Sequence, residues 1–338
     1  IPAITKIAKR HDVLVMSDCV QGVGKIPVDV HEWGIDYASF SAHKLHGPKG
    51  VGALYVKQGS PFAPFMHGGH QEDGMRAGTE SLHNIAGFGA ACQDVNKLLA
   101  HTEQILVLKR QLIQRLKEIK PDCVINSPEA DCLPNTINIT FPNVNNTGLM
   151  AMLDYHGIAV SAGSACSAQE DKPSHILKAI DLSDQAAQET IRVSLGCSNS
   201  ARDIRYTTQV FQNYVEGRTL FVNMITPAQL DETVLFDEQT YILDVRPQFL
   251  RKKFKSLPNS HEASFVSIEK YLHQLPKDKR ILVVCQGGSL SYIVAYYLKS
   301  KGFEHVDNLR GGVNGWKARH SDLYQKYAGQ NITVLQSA

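Results

Sequence analysis

The chain has 338 residues, 43% hydrophobic and 20% charged, with a formal net charge of +2. These values fit a soluble globular protein of two or three domains; no charge excess draws it to nucleic acid, no apolar run approaches spanning length, and no signal peptide opens it. The seven cysteines, Cys19, Cys92, Cys123, Cys132, Cys166, Cys197 and Cys285, are odd in number and form no Cys-x-x-Cys pair, which argues against a disulfide framework or structural zinc and for a reducing, cytoplasmic setting.

Residues 2–10 read as a helix, with Pro2 near its start and Ile4, Ile7 and Ala8 on one face. Residues 13–16 are four apolar residues in a row, expected as a short buried strand that ends in the carboxylate of Asp18. A sheet introduced by a helix points to an absent earlier strand, and the chain is expected to be a fragment. A buried carboxylate needs a partner, and a protonated pyridine nitrogen is one. Gln21 follows, placed to donate to a ring hydroxyl. Asp18 could equally be a helix cap or turn residue.

The segment Ser41-Ala42-His43-Lys44-Leu45-His46-Gly47-Pro48-Lys49-Gly50 sets a lysine between hydroxyl and imidazole groups, ahead of a glycine-proline turn. Ser41 and His43 can hold an anion, and Lys44 can bond to an aldehyde. Pyridoxal 5'-phosphate carries both groups, so the segment reads as a cofactor anchor. A basic surface loop is the plain alternative.

Residues 81–120 carry a long helical pattern, with Leu82, Ile85, Phe88, Cys92, Val95, Leu98 and Leu99 among its apolar positions; Gly87 and Gly89 mark a kink or a close approach. Residues 135–141 alternate as a strand does, and 158–161 form a second candidate. Residues 217–223 read as a linker.

Residues 18–21, 41–50 and 68–80 (Gly68-Gly69-His70-Gln71-Glu72-Asp73-Gly74-Met75-Arg76-Ala77-Gly78-Thr79-Glu80), followed by Leu133-Pro134-Asn135-Thr136-Ile137-Asn138, Val160-Ser161-Ala162-Gly163-Ser164-Ala165-Cys166-Ser167 and Ile191-Arg192-Val193-Ser194-Leu195-Gly196, resemble the cysteine desulfurase family, fold-type I pyridoxal enzymes of the aminotransferase class V group. The resemblance covers about the first 215 residues. It implies an α/β, PLP fold-type I large domain, present in part, over residues 1–120 with a long linking helix, and a small α+β domain over 121–217. It implies pyridoxal 5'-phosphate as cofactor and L-cysteine as substrate, which is converted to L-alanine.

The resemblance also implies a role for each matching residue. Lys44 would hold the cofactor and move the substrate Cα proton. Asp18 would face the ring nitrogen and Gln21 the ring oxygen. Ser41 and His43 would bind the phosphate, and Thr79 the phosphate of the other subunit of a homodimer. Arg192 would clamp the substrate carboxylate in a bidentate fork. Cys166, among small and polar residues suited to a mobile loop, would be the nucleophile that takes up sulfur as a persulfide. A buried core cysteine is the plain reading for Cys19 and Cys92.

A further α/β domain is expected over 225–338. Thr226-Pro227-Ala228-Gln229 is a capping box with proline in the first turn. Strands at 241–243, 281–284 and 305–309 are expected, with a helix after Cys285 running through Tyr297. Asp244-Val245-Arg246, the strand-Cys285-loop-helix unit and Gly311-Gly312 with Trp316 resemble a rhodanese domain. A cysteine at a helix N-terminus sits among backbone N–H groups and a positive dipole end, which favours the thiolate. Residues 286–291 contain no Arg or Lys, and Leu290 stands where that family often has arginine. Cys285 is therefore expected to accept sulfur from a persulfide rather than from a small anion, with an inert docking domain as the alternative reading. The final protein acceptor, a scaffold or a thiolation protein, stays open. Competing readings are a non-catalytic sulfur-carrier fragment and a selenocysteine lyase-like pyridoxal enzyme. No metal, nucleic acid or membrane is expected as partner.

Overall fold

The computed structural model describes residues 1–127, 132–162, 174–218, 220 and 222–335. These form two compact units: one holds Ile1–Arg110 with short segments that include Asn135 and Leu195–Asn199, and the other holds Gln111–Ser127 and the described residues of 137–194 and 200–335.

The first unit opens with α1 (Pro2–Lys9), proline in its first turn, as expected. Strand β1 is Met16–Asp18, not 13–16. Its ladder to β2 (Tyr37–Ser41) starts only at Met16↔Tyr37, so Val13 and Leu14 lie beyond the paired end and are exposed, as is Met16. Asp18 is likewise exposed, which corrects the expected buried carboxylate. Helix α2 (Val30–Trp33), capped by the Asp29 carboxylate, leads into β2. β1 and β2 run parallel and β3 (Gly52–Val56) antiparallel to β2, in the order β1-β2-β3.

The long helical pattern is three helices: α3 (Leu82–Gln93), α4 (Val95–Ala100) and α5 (Thr102–Ile119). The breaks fall at Asp94 and His101, not at the glycines. Gly87 is instead a close approach, since a Cβ there would lie 2.6 Å from the Pro48 ring. Cys19 is buried as expected, whereas Cys92 is exposed and is no core residue.

In the second unit, β4 (Val124–Ile125), β5 (Thr136–Thr140) and β6 (Thr190–Ser194) form a small sheet. Helices α6 (Asn146–Tyr155), α7 (His175–Ala179), α8 (Asp184–Gln188) and α9 (Ala201–Val215) accompany it. Ile137, Ile139 and Phe141 alternate inward, and the Phe141 ring packs 4.5 Å from Phe211 of α9. The strand expected at 158–161 does not form; a single antiparallel bridge joins Ser161 to Arg192.

A six-stranded parallel sheet follows, in the order β12-β9-β8-β10-β11-β7. Its strands are β7 (Asn223–Ile225), β8 (Thr240–Asp244), β9 (Ser260–Glu262), β10 (Arg280–Val284), β11 (Val306–Leu309) and β12 (Thr333–Val334). The helices between and after them are α10 (Glu232–Leu235), α11 (Gln248–Lys253), α12 (Ile268–Tyr271), α13 (Ser289–Ser300), α14 (Gly312–Arg319) and α15 (Ser321–Tyr327). The capping box forms, with the Thr226 N–H and hydroxyl both donating to Gln229 Oε1 at 2.9 and 2.8 Å. The sheet nevertheless begins earlier, because β7 pairs with β11.

Residues 281–284 are apolar throughout because both faces of this sheet are covered. Ile242, Leu282 and Val284 meet fully buried Trp316, while Leu243, Ile281 and Val283 meet Tyr292, Ala295 and Leu298 of α13. The second cluster also takes in Ala151 of α6, so α6 and α13 share one core. Gly148 makes that approach possible: a Cβ there would lie 2.3 Å from the Tyr214 hydroxyl and 3.1 Å from the Tyr292 ring. Gly148→Ala is therefore expected to lower stability by about 1–3 kcal/mol through overpacking, although alanine is the better helix former. Denaturant unfolding checks this, and an unchanged or raised midpoint would show that the α6–α13 contact yields freely. No helix among the described residues is long and apolar enough to cross a membrane.

Candidate functional site

Two places in the fold gather chemistry. The first is the carboxyl edge of β1 and β2. Parallel strands end on the same side, and Asp18 pairs with Ser39 two residues before β2 ends at Ser41. Open α/β sheets place their ligands at this edge. Beyond Ser41 the chain tightens into a 3₁₀ turn, Ala42–Leu45, whose Ala42 and Leu45 are buried. His46 closes it in the left-handed region (φ 64°), and the Gly47 N–H donates to the Ala42 carbonyl. That anchoring leaves Lys44 half-buried at the rim. Ser41 Oγ and His43 Nδ1 lie 2.8 Å apart beside it. Asp18 Oδ1 accepts the Val20 N–H at 2.9 Å, which fixes the carboxylate at the strand end. Gln21 is exposed in the turn that follows.

The donor set suits pyridoxal 5'-phosphate. A hydroxyl and an imidazole stand ready for a phosphate, an amine for an aldehyde, and an exposed carboxylate for a ring nitrogen. One further amine belongs here: burial pushes the Lys25 ammonium down from its ordinary range, and the charge of Lys44 adds to the effect. Sequence reasoning missed Lys25, because only the fold brings it near Lys44. Thr79 is exposed on the loop ahead of α3.

Arg192 belongs to the second unit, on β6. Its Nε is buried and has no hydrogen-bond partner among the described residues. A buried guanidinium nitrogen left open is what a carboxylate clamp requires. Cys166 lies outside the described residues.

The second place is the end of β10. Cys285 is 4% exposed, and its sulfur accepts the Gly288 N–H at 3.1 Å and the Ser291 hydroxyl at 3.2 Å. Gly288 adopts φ 91°, and a Cβ there would lie 2.8 Å from the Gly311 nitrogen, so the Gly311-Gly312 turn packs directly on the cysteine loop. The Val313 N–H donates to the Cys285 carbonyl and the Asn314 N–H to that of Gln286. Beneath lies Arg246, fully buried, with bonds of 2.6–3.1 Å to the Asp244 carboxylate, 3.0 Å to Ser256 and 2.8 Å to Gln286 Oε1. Its charge is matched by Asp244 and does not reach the sulfur through any hydrogen bond. The roles of Arg246 and Ser291 were not legible in the sequence, since each depends on which atoms the sheet register brings together.

Residues 1–206 match the aminotransferase class-V family, and residues 226–319 match the rhodanese-like domain. The chain is 40% identical over 217 residues to a cysteine desulfurase IscS of Dictyoglomus turgidum, covering 64% of this chain and 55% of that protein. It is 36% identical over 210 residues to a cysteine desulfurase NifS of Azotobacter vinelandii, covering 62% and 50%. Among solved structures, a NifS-like protein superposes with a TM-score of 0.58 at 34% identity, covering 64% of this chain and 56% of the other. A NifS-like protein from Rickettsia africae gives 0.58 at 33% identity, covering 64% and 57%. The chain spans about half the length of the curated relatives it matches.

Proposed function

Because the chain belongs to the aminotransferase class V family and carries a rhodanese-like domain behind it, we propose that it takes sulfur from L-cysteine, leaves L-alanine, and passes the sulfur to Cys285. The observation that carries this reading is the grouping of Asp18, Ser41, His43 and Lys44 at one sheet edge of a chain that also cradles a cysteine sulfur at the end of β10.

Pyridoxal 5'-phosphate, when bound, supplies an electron sink for charge left at the substrate Cα. Ser41 and His43 would hold its phosphate, Asp18 would serve its ring nitrogen and Gln21 its ring oxygen, and Lys44 would hold it and move the proton at Cα. Thr79 serves the phosphate of a second copy in a homodimer, and Arg192 holds the substrate carboxylate. The thiolate of Cys166 attacks the substrate sulfur. The carbon–sulfur bond breaks, a sulfur–sulfur bond forms on Cys166, and the carbon skeleton gains a proton to leave as alanine. In the second step the Cys285 thiolate attacks the outer sulfur of that persulfide, and the electron pair of the broken bond returns to Cys166. A protein acceptor, an iron–sulfur scaffold or a thiolation protein, then takes the sulfur in a reducing, cytoplasmic setting.

The cysteine loop supports a persulfide donor over thiosulfate, since residues 286–291 carry no cation and the charge of Arg246 is matched by Asp244. After addition of L-cysteine and cofactor, mass spectrometry is expected to find one added sulfur on the Cys285 peptide, lost in Cys166→Ser, alongside poor thiosulfate sulfurtransferase activity. A loaded Cys166 with an unmodified Cys285 would make the domain a docking module instead.

A further inference from the structure

The Cys285 sulfur receives two hydrogen bonds inside the fold, and they differ in kind. The Gly288 N–H, at 3.1 Å, is fixed by the backbone. The other, from Ser291 at 3.2 Å, comes from a hydroxyl that can turn. Ser291 is fully buried and lies 3.1 Å from a second acceptor, the Gly288 carbonyl. A hydroxyl has one proton and serves one of these acceptors at a time.

The Gly288 carbonyl does not depend on Ser291. It accepts the side-chain amide of Asn308 at 2.9 Å and the Tyr292 N–H at 3.3 Å. The Ser291 proton can therefore leave the carbonyl without orphaning it, which removes the usual penalty for breaking a buried hydrogen bond. Among the described residues the sulfur has no such reserve. No Arg or Lys lies in residues 286–291, and Arg246 is bonded to Asp244, Ser256 and Gln286.

We propose that Ser291 is the positioning residue that stands in for a cation at Cys285: its proton turns to the Gly288 carbonyl while the sulfur holds its own proton, and to the sulfur once that proton has left. In the thiol form the S–H donates to Ser291 Oγ. On ionisation the sulfur's proton passes to solvent, the serine rotates, and the anion keeps two donors.

This rests on reading Cys285 as the sulfur carrier, but its test does not require sulfur transfer. Iodoacetamide alkylation of the intact chain is followed from pH 6 to pH 10, with the Cys285 peptide read by mass spectrometry. In Ser291→Ala the rate profile of that peptide is expected to move to higher pH, with the rate at pH 7 down about tenfold, as the loss of one hydrogen bond to an ion predicts. Ser291→Thr keeps the hydroxyl and is expected to restore the profile. Asn308→Leu leaves Ser291 in place but strips the carbonyl of its shorter reserve bond, leaving only the Tyr292 N–H at 3.3 Å, so it is expected to shift the profile the same way by a smaller amount. It serves as well if Ser291→Ala does not fold. An unmoved profile in Ser291→Ala or Asn308→Leu, or a Cys285 that resists alkylation at every pH, overturns the proposal. Failure of Cys285 to load from L-cysteine while the profile still shifts would instead strike only the sulfur-transfer reading.

Discussion

Replacing Lys44 by alanine is expected to abolish the visible absorbance band that develops when the chain is titrated with pyridoxal 5'-phosphate. It should also remove any lysine adduct trapped by borohydride. Lys44 is placed for this by the buried Ala42 and Leu45 on either side of its turn, which hold the amine at the rim beside Ser41 and His43. Alanine formation is expected to fall by at least about 10³-fold, because in the proposed function the variant loses both the covalent anchor and the proton carrier at Cα. Lys25 makes the experiment discriminating. Its ammonium is held below the ordinary lysine range by burial and by the charge of Lys44, so it is the alternative amine to map. A reducible adduct that survives in Lys44→Ala and maps to Lys25 would move the anchor there. Binding is read separately from turnover, so weak activity does not obscure the result.

Cys166→Ser is expected to leave the cofactor band intact while sulfide release from L-cysteine drops more than about 10²-fold. A serine hydroxyl is nearly the same size but is un-ionised near neutrality and a poor nucleophile towards sulfur. The informative quantity is the contrast between the two variants. Lys44→Ala is expected to lose cofactor and turnover together, whereas Cys166→Ser is expected to lose turnover alone. Unchanged sulfide release would place the nucleophile elsewhere, with half-buried Cys197 the next residue to test.

The sequence by itself determined which residues are grouped wherever they are neighbours along the chain. Ser41, His43 and Lys44 sit in one turn, Asp18 and Gln21 at one strand end, and the capping box at Thr226 within four residues; local geometry and residue type suffice for these. Paired β strands were legible where both faces or alternate faces are buried, as at 281–284 and 135–141. At 13–16 apolar composition alone misled, because a strand exists only where a partner ladder reaches, and that ladder starts at Met16↔Tyr37. Gly87 was marked, but its meaning came from Pro48, 39 residues away in the chain and in contact in space.

Only the tertiary structure decided the surroundings of Cys285. Gly288, Ser291, Asn308 and the Gly311-Gly312 turn come from three separate elements, and the register of β10 against β11 sets which of their atoms meet the sulfur. The buried Arg246–Asp244 pair, the nearness of Lys25 to Lys44, and the core shared by α6 and α13 have the same origin. Periodicity along a chain reports which face a residue shows; hydrogen bonds and charge neighbours between distant residues are set by strand register and side-chain packing, which no single stretch of sequence encodes.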